Sequence, residues 1–97
     1  MVATNNILAC GSLTLTTSYQ QLDSSTQGFR WLLLRVEDEA AGNVEIGLLD
    51  TGGTVQDALY LKTDESLTFP NVGTIRPSDI YLKGTADDVV QWIGVKA

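Results

Sequence analysis

Two acidic clusters are the first candidates for chemistry in this chain. Asp87 and Asp88 are adjacent in the segment 84–88, and Glu37, Asp38 and Glu39 form a run of three. Loop carboxylates can supply the roughly six to eight oxygens that calcium takes. Neither cluster has the ligand spacing of an EF-hand. Both read as solvated loop charge, the ordinary fate of charged side chains, so no metal or other cofactor is expected. For catalysis, the sequence has no histidine, the commonest general base. Serine and threonine are plentiful, but an activated hydroxyl needs a base within hydrogen-bond reach. No lysine or carboxylate is singled out for that role, and the chain is expected not to be an enzyme. Cys10 is the single cysteine, so no intrachain disulfide can form. With no basic neighbour in sequence to activate it, it reads as a buried small apolar residue, with an intermolecular bridge or a reactive thiol as the alternative.

The aromatic residues are Tyr19, Phe29, Trp31, Tyr60, Phe69, Tyr81 and Trp92. Tryptophan and tyrosine anchor interfaces when exposed and fill cores when not. Tyr81 is out of phase with Ile80 and Leu82, which predicts partial exposure, and Tyr19 lies in a polar stretch. These two are the candidate interface aromatics. The net charge is −6, with only six Lys and Arg, at positions 30, 35, 62, 76, 83 and 96. Phosphate backbones require clustered cations, so nucleic acid and anionic membrane are excluded as expected partners. The longest apolar run, Trp31–Leu34, is far below the roughly 20 residues of a membrane span. The first ten residues lack the basic region of a leader, so a soluble cytoplasmic product is expected.

The elements that must position these residues are short. A chain of 97 residues makes one domain with one core. Eleven threonines and nine glycines against one methionine favour strands and turns. Residues 13–17 alternate apolar and polar, as a half-buried strand does. Residues 18–28 read as a loop with a brief extended piece near Tyr19–Leu22. Residues 29–36 are the strongest strand, with Phe29, Trp31, Leu33 and Arg35 on one face and Arg30, Leu32, Leu34 and Val36 on the other. Its middle is apolar on both faces, the pattern of a central strand covered on both sides. A charged loop over 37–43, strands at 44–49 and 56–61 around an Asp50–Thr54 turn, and strands at 67–69, 79–83 and 89–95 complete the chain. Seven or eight evenly spaced strands without a 3.6-residue period predict an antiparallel sandwich or barrel with little helix. The expected core contains Phe29, Trp31, Leu33, Leu67, Phe69, Ile80, Leu82 and Ile93, with Trp92 read as core beside Val90 and Gly94. Residues 1–6 are small and polar, and residues 1–7 read as an arm preceding the sandwich over 8–97. Its residues Val2, Ala3, Thr4, Asn5 and Asn6 are the further interface candidates, ordered by a neighbouring chain, with docking on the chain's own domain as an edge strand the alternative.

The segments Asp64-Glu65-Ser66-Leu67 and Asp79-Ile80-Tyr81-Leu82-Lys83-Gly84-Thr85-Ala86-Asp87-Asp88-Val89-Val90-Gln91-Trp92-Ile93-Gly94 resemble the closing strands of small virion proteins of tailed bacteriophages. Asp87 stands where that pattern has glycine. The resemblance covers roughly residues 64–95 and is to capsid decoration (cement) proteins or related head and tail accessory proteins. It implies a jelly-roll-like β-sandwich, no catalytic residues, and a virion location on the capsid surface. It also implies the major capsid protein as partner and a homo-oligomer, dimer or trimer. Tail, head–tail connector and receptor- or carbohydrate-binding roles remain the alternatives.

Overall fold

Alternating side chains and turn residues divide the chain into eight strands, in a computed structural model that describes residues 8–37, 40–69 and 74–97. They are β1 (Leu8–Thr14), β2 (Gln20–Gln21), β3 (Phe29–Val36), β4 (Val44–Leu49), β5 (Val55–Leu61), β6 (Ser66–Phe69), β7 (Ile80–Lys83) and β8 (Val89–Lys96). A 3-10 turn, Pro77–Asp79, leads into β7. The strands form two four-stranded sheets in the orders β1-β8-β3-β6 and β2-β7-β4-β5. All pairings are antiparallel. Two such sheets, with the chain crossing between them at all but one connection, make an eight-stranded jelly roll. The exception is the β4–β5 hairpin, closed by Asp50. Its carboxylate accepts the amides of Gly52 and Thr54 at 2.9 Å each, and Gly53 supplies the positive φ of 83°. The expected all-β sandwich is the observed fold. The first strand begins at Leu8, five residues before the alternation at Leu13 announces it.

The core lies between the sheets and includes Leu15, Leu22, Phe29, Leu32, Leu34, Val36, Val44, Ile46, Ile80, Leu82, Val90 and Trp92. Phe29, Ile80, Leu82 and Trp92 are there as the alternation predicts. Trp31, Leu33 and Ile93 are not: they point to the outer face of the first sheet, and Ile93 is 41% exposed. The cause in β3 is a bulge. Phe29 opposes Lys96 and Trp31 opposes Val95, so Arg30 is an extra residue that resets the parity. Phe29 therefore points inward although Leu32, Leu34 and Val36 are the inward residues of the rest of the strand. In β8, Val90, Trp92 and Gly94 take the inner face and Ile93 the outer one. Leu67 and Phe69 are half-buried and pack against the margin of the core. The Phe29 ring meets Trp92 edge to face at 5.8 Å and lies on Gly94, where a Cβ would come within 2.5 Å of Phe29 Cδ2.

Candidate binding surfaces

The outer face of the first sheet is built by cross-strand rows. The registers set Leu8, Val95 and Trp31 side by side, then Cys10, Ile93 and Leu33, then Ser12, Gln91 and Arg35. Two successive rows are thus apolar throughout, and the third is polar. Leu33, Arg35, Gln91, Trp92 and Ile93 line a shallow depression of about 190 Å³ there. Arg35 is tied to Asp64 at 2.6 Å at the margin of the sheet. Cys10 is exposed in the second apolar row, which corrects the expectation that it is buried. Its strand turns Ala9 and Leu13 toward the core, and Cys10 has the opposite phase.

The second sheet presents a different chemistry. Its inner phase is Ile46, Ile80 and Leu82; its outer phase holds Glu45, Tyr60, Tyr81 and Lys83. Lys83 Nζ lies 3.5 Å from Glu45 Oε2 and 4.6 Å from the centroid of the Tyr19 ring, within range of a cation–π contact. Tyr19 also covers Gly47, where a Cβ would stand 3.3 Å from its Cε1, and Tyr81 is the β7 partner of Gly47. The fold thus brings the two candidate aromatics, Tyr19 and Tyr81, to one place on this face, each partly exposed. Tyr60 stands further along the same face and is 60% exposed. Sequence reading left Tyr60 unassigned, although its phase opposite Leu59 and Leu61 was available. The candidates Val2, Ala3, Thr4, Asn5 and Asn6 lie outside the described residues, as does the rest of the arm over 1–7.

A third surface lies along the open side of the sandwich, between the edge strands β5 and β6. Ile46, Leu48, Leu59, Leu67 and Phe69 line an apolar groove of about 140 Å³. It exists because β6 has only four residues and leaves Leu48 and Leu59, which share the inward phase of Ile46, exposed at that edge.

The acidic candidates separate by role. Asp88 is buried and its carboxylate accepts the Ala41 amide at 2.9 and 3.0 Å and the Gly42 amide at 3.2 Å. It pins Ala41 and Gly42 to the β7–β8 turn, a role for which the sequence offers no local signal. This departs from the solvated-loop reading for Asp88. Asp87 is exposed with φ 74°, the left-handed conformation that suits the glycine expected there and that aspartate tolerates. Glu37 is half-buried; Asp38 and Glu39 lie outside the described residues. Among the described residues no three His, Cys, Asp or Glu side chains gather in a metal-binding group. Nor is any helix there long and apolar enough to cross a membrane.

No protein-family model matches the sequence, and no curated protein does. Solved structures do match in fold. A Bacillus protein from the structure titled "Bacillus endospore appendages form a novel family of disulfide-linked pili" is 20% identical, with a TM-score of 0.52 over 99% of this chain and 95% of that one. The SPBc2 prophage-derived protein YomS is 16% identical, with a TM-score of 0.51 over 97% of this chain and 99% of that one. At those identities the similarity is one of fold over the whole length of both chains.

Proposed function

We propose that this chain is a non-enzymatic structural protein of a phage particle, a capsid decoration protein that binds the outer shell and stabilises it by bridging capsid subunits. The observation that carries this reading is a sandwich with two distinct surfaces in a chain of net charge −6: the apolar outer face of the first sheet, which has no covering layer among the described residues, and the face of the second sheet that bears Tyr19, Tyr60 and Tyr81. Large apolar surface on an otherwise charged domain marks an interaction site. A decoration protein needs a rigid scaffold with such surfaces, and it stabilises the shell by binding its assembled state. The resemblance of residues 64–95 to small virion proteins supports the reading, and so does a fold shared with a prophage-derived protein. The partners in this reading are the major capsid protein and further copies of the chain, with the 1–7 arm reaching a neighbouring subunit. The pili of the other neighbour are disulfide-linked. The single cysteine of this sequence can join chains only in pairs, which favours a decoration role over a disulfide-linked fibre.

The test is localisation on purified particles by electron microscopy with a labelled chain. Regular density on the outer capsid lattice supports the reading; label confined to the tail or connector overturns it. A receptor- or carbohydrate-binding role is the second reading, favoured by Tyr19, Tyr60 and Tyr81 on one face of the second sheet. Specific glycan-array binding that a Tyr60→Ala change removes would select it.

A further inference from the structure

We infer that the outer face of the first sheet is the dimer interface of this protein, and that its occupant is the same face of a second copy. The inference refines the oligomeric part of the decoration reading. It starts from a mismatch between sequence and fold. β3 and β8 carry the two-sided apolar pattern of strands covered on both faces. One side faces the core. On the other, Leu8, Val95 and Trp31 and then Cys10, Ile93 and Leu33 form two rows with no covering layer among the described residues. Leu8 and Ile93 are 43% and 41% exposed.

Charge selects the occupant. The chain holds twelve Asp and Glu residues, yet none lies in β1, β3, β6 or β8. Glu45 and Asp57, by contrast, lie in strands of the second sheet. Two copies of a chain at −6 repel over most of their surface, and this face is where they can meet without opposing carboxylates. Arg35 stands in the polar third row beside Asp64, and Arg30 sits at the bulge, so the middle of the face is neutral. Size agrees. Three strands about 4.8 Å apart, rising about 3.4 Å per residue, present a face of roughly 14 by 24 Å. Side chains standing out of that face, with β6 beside it, bring each partner toward the lower limit of specific interfaces, about 600 Å² per side. Two such sheets stack about 10 Å apart, as the sheets of a sandwich do, and a face that meets itself gives a closed two-fold dimer.

The test uses the full chain under reducing conditions, with light scattering after size exclusion from about 1 to 500 μM, a range that brackets interfaces of this size. Three readouts are taken for the wild type, Ile93→Lys, Leu8→Lys and a deletion of residues 2–6: mass, thermal melting, and alkylation of Cys10 by iodoacetamide. The expected wild type has twice the 10.5 kDa chain mass and, at a total concentration ten times Kd, where about a fifth of the chain is monomeric, alkylates roughly fivefold more slowly than its monomer. Ile93→Lys and Leu8→Lys stay folded, run as monomers and lose that protection. A monomeric wild type with reactive Cys10 overturns the inference, as does a dimer that survives both lysine variants. A monomer whose Cys10 is protected until residues 2–6 are removed assigns the cover to the arm, and equally overturns it. The decoration reading fails separately: a wild type that dimerises but is absent from the capsid surface defeats that reading and leaves the dimer standing.

Discussion

Gly94→Ala is the substitution that most directly tests how the bulge at Arg30 builds the core. A methyl group at Gly94 would stand 2.5 Å from Phe29 Cδ2, 2.8 Å from Phe29 Cε2 and 2.9 Å from Leu32 Cδ1. Carbon atoms sit comfortably about 3.5–4.0 Å apart, so the ring must shift by about an ångström. It has little freedom to do so. The Phe29 backbone is held to Ile75 by hydrogen bonds of 2.6 and 2.7 Å in both directions, and the ring abuts Trp92. Overpacking of this kind costs about 1–3 kcal/mol. Replacing glycine by alanine returns about 0.5–1 kcal/mol through the less flexible unfolded chain. The net loss is therefore about 0–2.5 kcal/mol and centred a little above 1 kcal/mol, each kcal/mol being a fall of roughly 4–8 °C in melting temperature for a domain of this size. Urea unfolding followed by tryptophan fluorescence reads it, since Trp92 is buried beside the ring. The decisive measurement is a double-mutant cycle with Phe29→Leu, whose smaller side chain makes room for the methyl. The two changes together should be less destabilising than their sum by at least about 1 kcal/mol. If the costs add to within about 0.5 kcal/mol, the ring does not rest on Gly94 and the account of the bulge is wrong.

Other substitutions probe other parts of the fold. Asp88→Ala should cost about 1–3 kcal/mol by leaving the Ala41 and Gly42 amides without their acceptor. Hydrogen exchange at those two amides should rise with it, and unchanged exchange would remove the carboxylate as the clamp. Phe29→Ala should cost about 3–5 kcal/mol and Phe69→Ala less than half of that, because only Phe29 is fully enclosed; equal urea midpoints for the two variants would contradict their placement. The Thr54 amide, then the Gln56 side chain, hold the Asp50 carboxyl below its usual value. Its ionised form therefore favours the folded hairpin at neutral pH. That contribution fades as pH falls below the free carboxyl value, about 3.9, and is gone once the folded value is passed. Asp50→Asn should flatten this acid limb in a pH series of melting temperatures, and an unchanged limb would separate the turn from acid sensitivity.

Much of the fold is legible in the sequence because strands and turns are specified locally. Alternation from Ile80 to Lys83 fixes which side chains are inward, and Asp50-Thr-Gly-Gly-Thr54 fixes a hairpin. Phase is harder wherever both faces are apolar. In β3 the period-two rule carried inward from Phe29 places Trp31 and Leu33 in the core, and the bulge at Arg30 inverts that assignment. A signal was present: Arg35 shares the phase of Trp31 and Leu33, and a guanidinium is rarely enclosed in a core. Gln91 gives the same warning for Ile93. The Asp88 clamp was out of reach, since its partners are 46 and 47 residues away. The groove between β5 and β6 likewise depends on how the edges of two sheets meet.

The misplaced residues carry more functional information than the correctly placed ones. Trp31, Leu33 and Ile93 look like core because their composition is that of a core. The fold offers one sandwich interior, and Phe29, Leu32, Leu34, Val90 and Trp92 already fill the part of it that the first sheet faces. A second apolar surface on the same strands weakens no packing, but it exposes hydrophobic area and invites association. The remainder of the chain opposes indiscriminate association. The first sheet's edge strand β6 is four residues long, a short edge of the kind that limits strand pairing. The acids of the loops and the second sheet repel copies approaching from other directions. A surface of this kind can join like to like across one face and leave the tyrosine- and lysine-bearing face of the second sheet available to a different partner. The decoration role proposed above would use that division of labour.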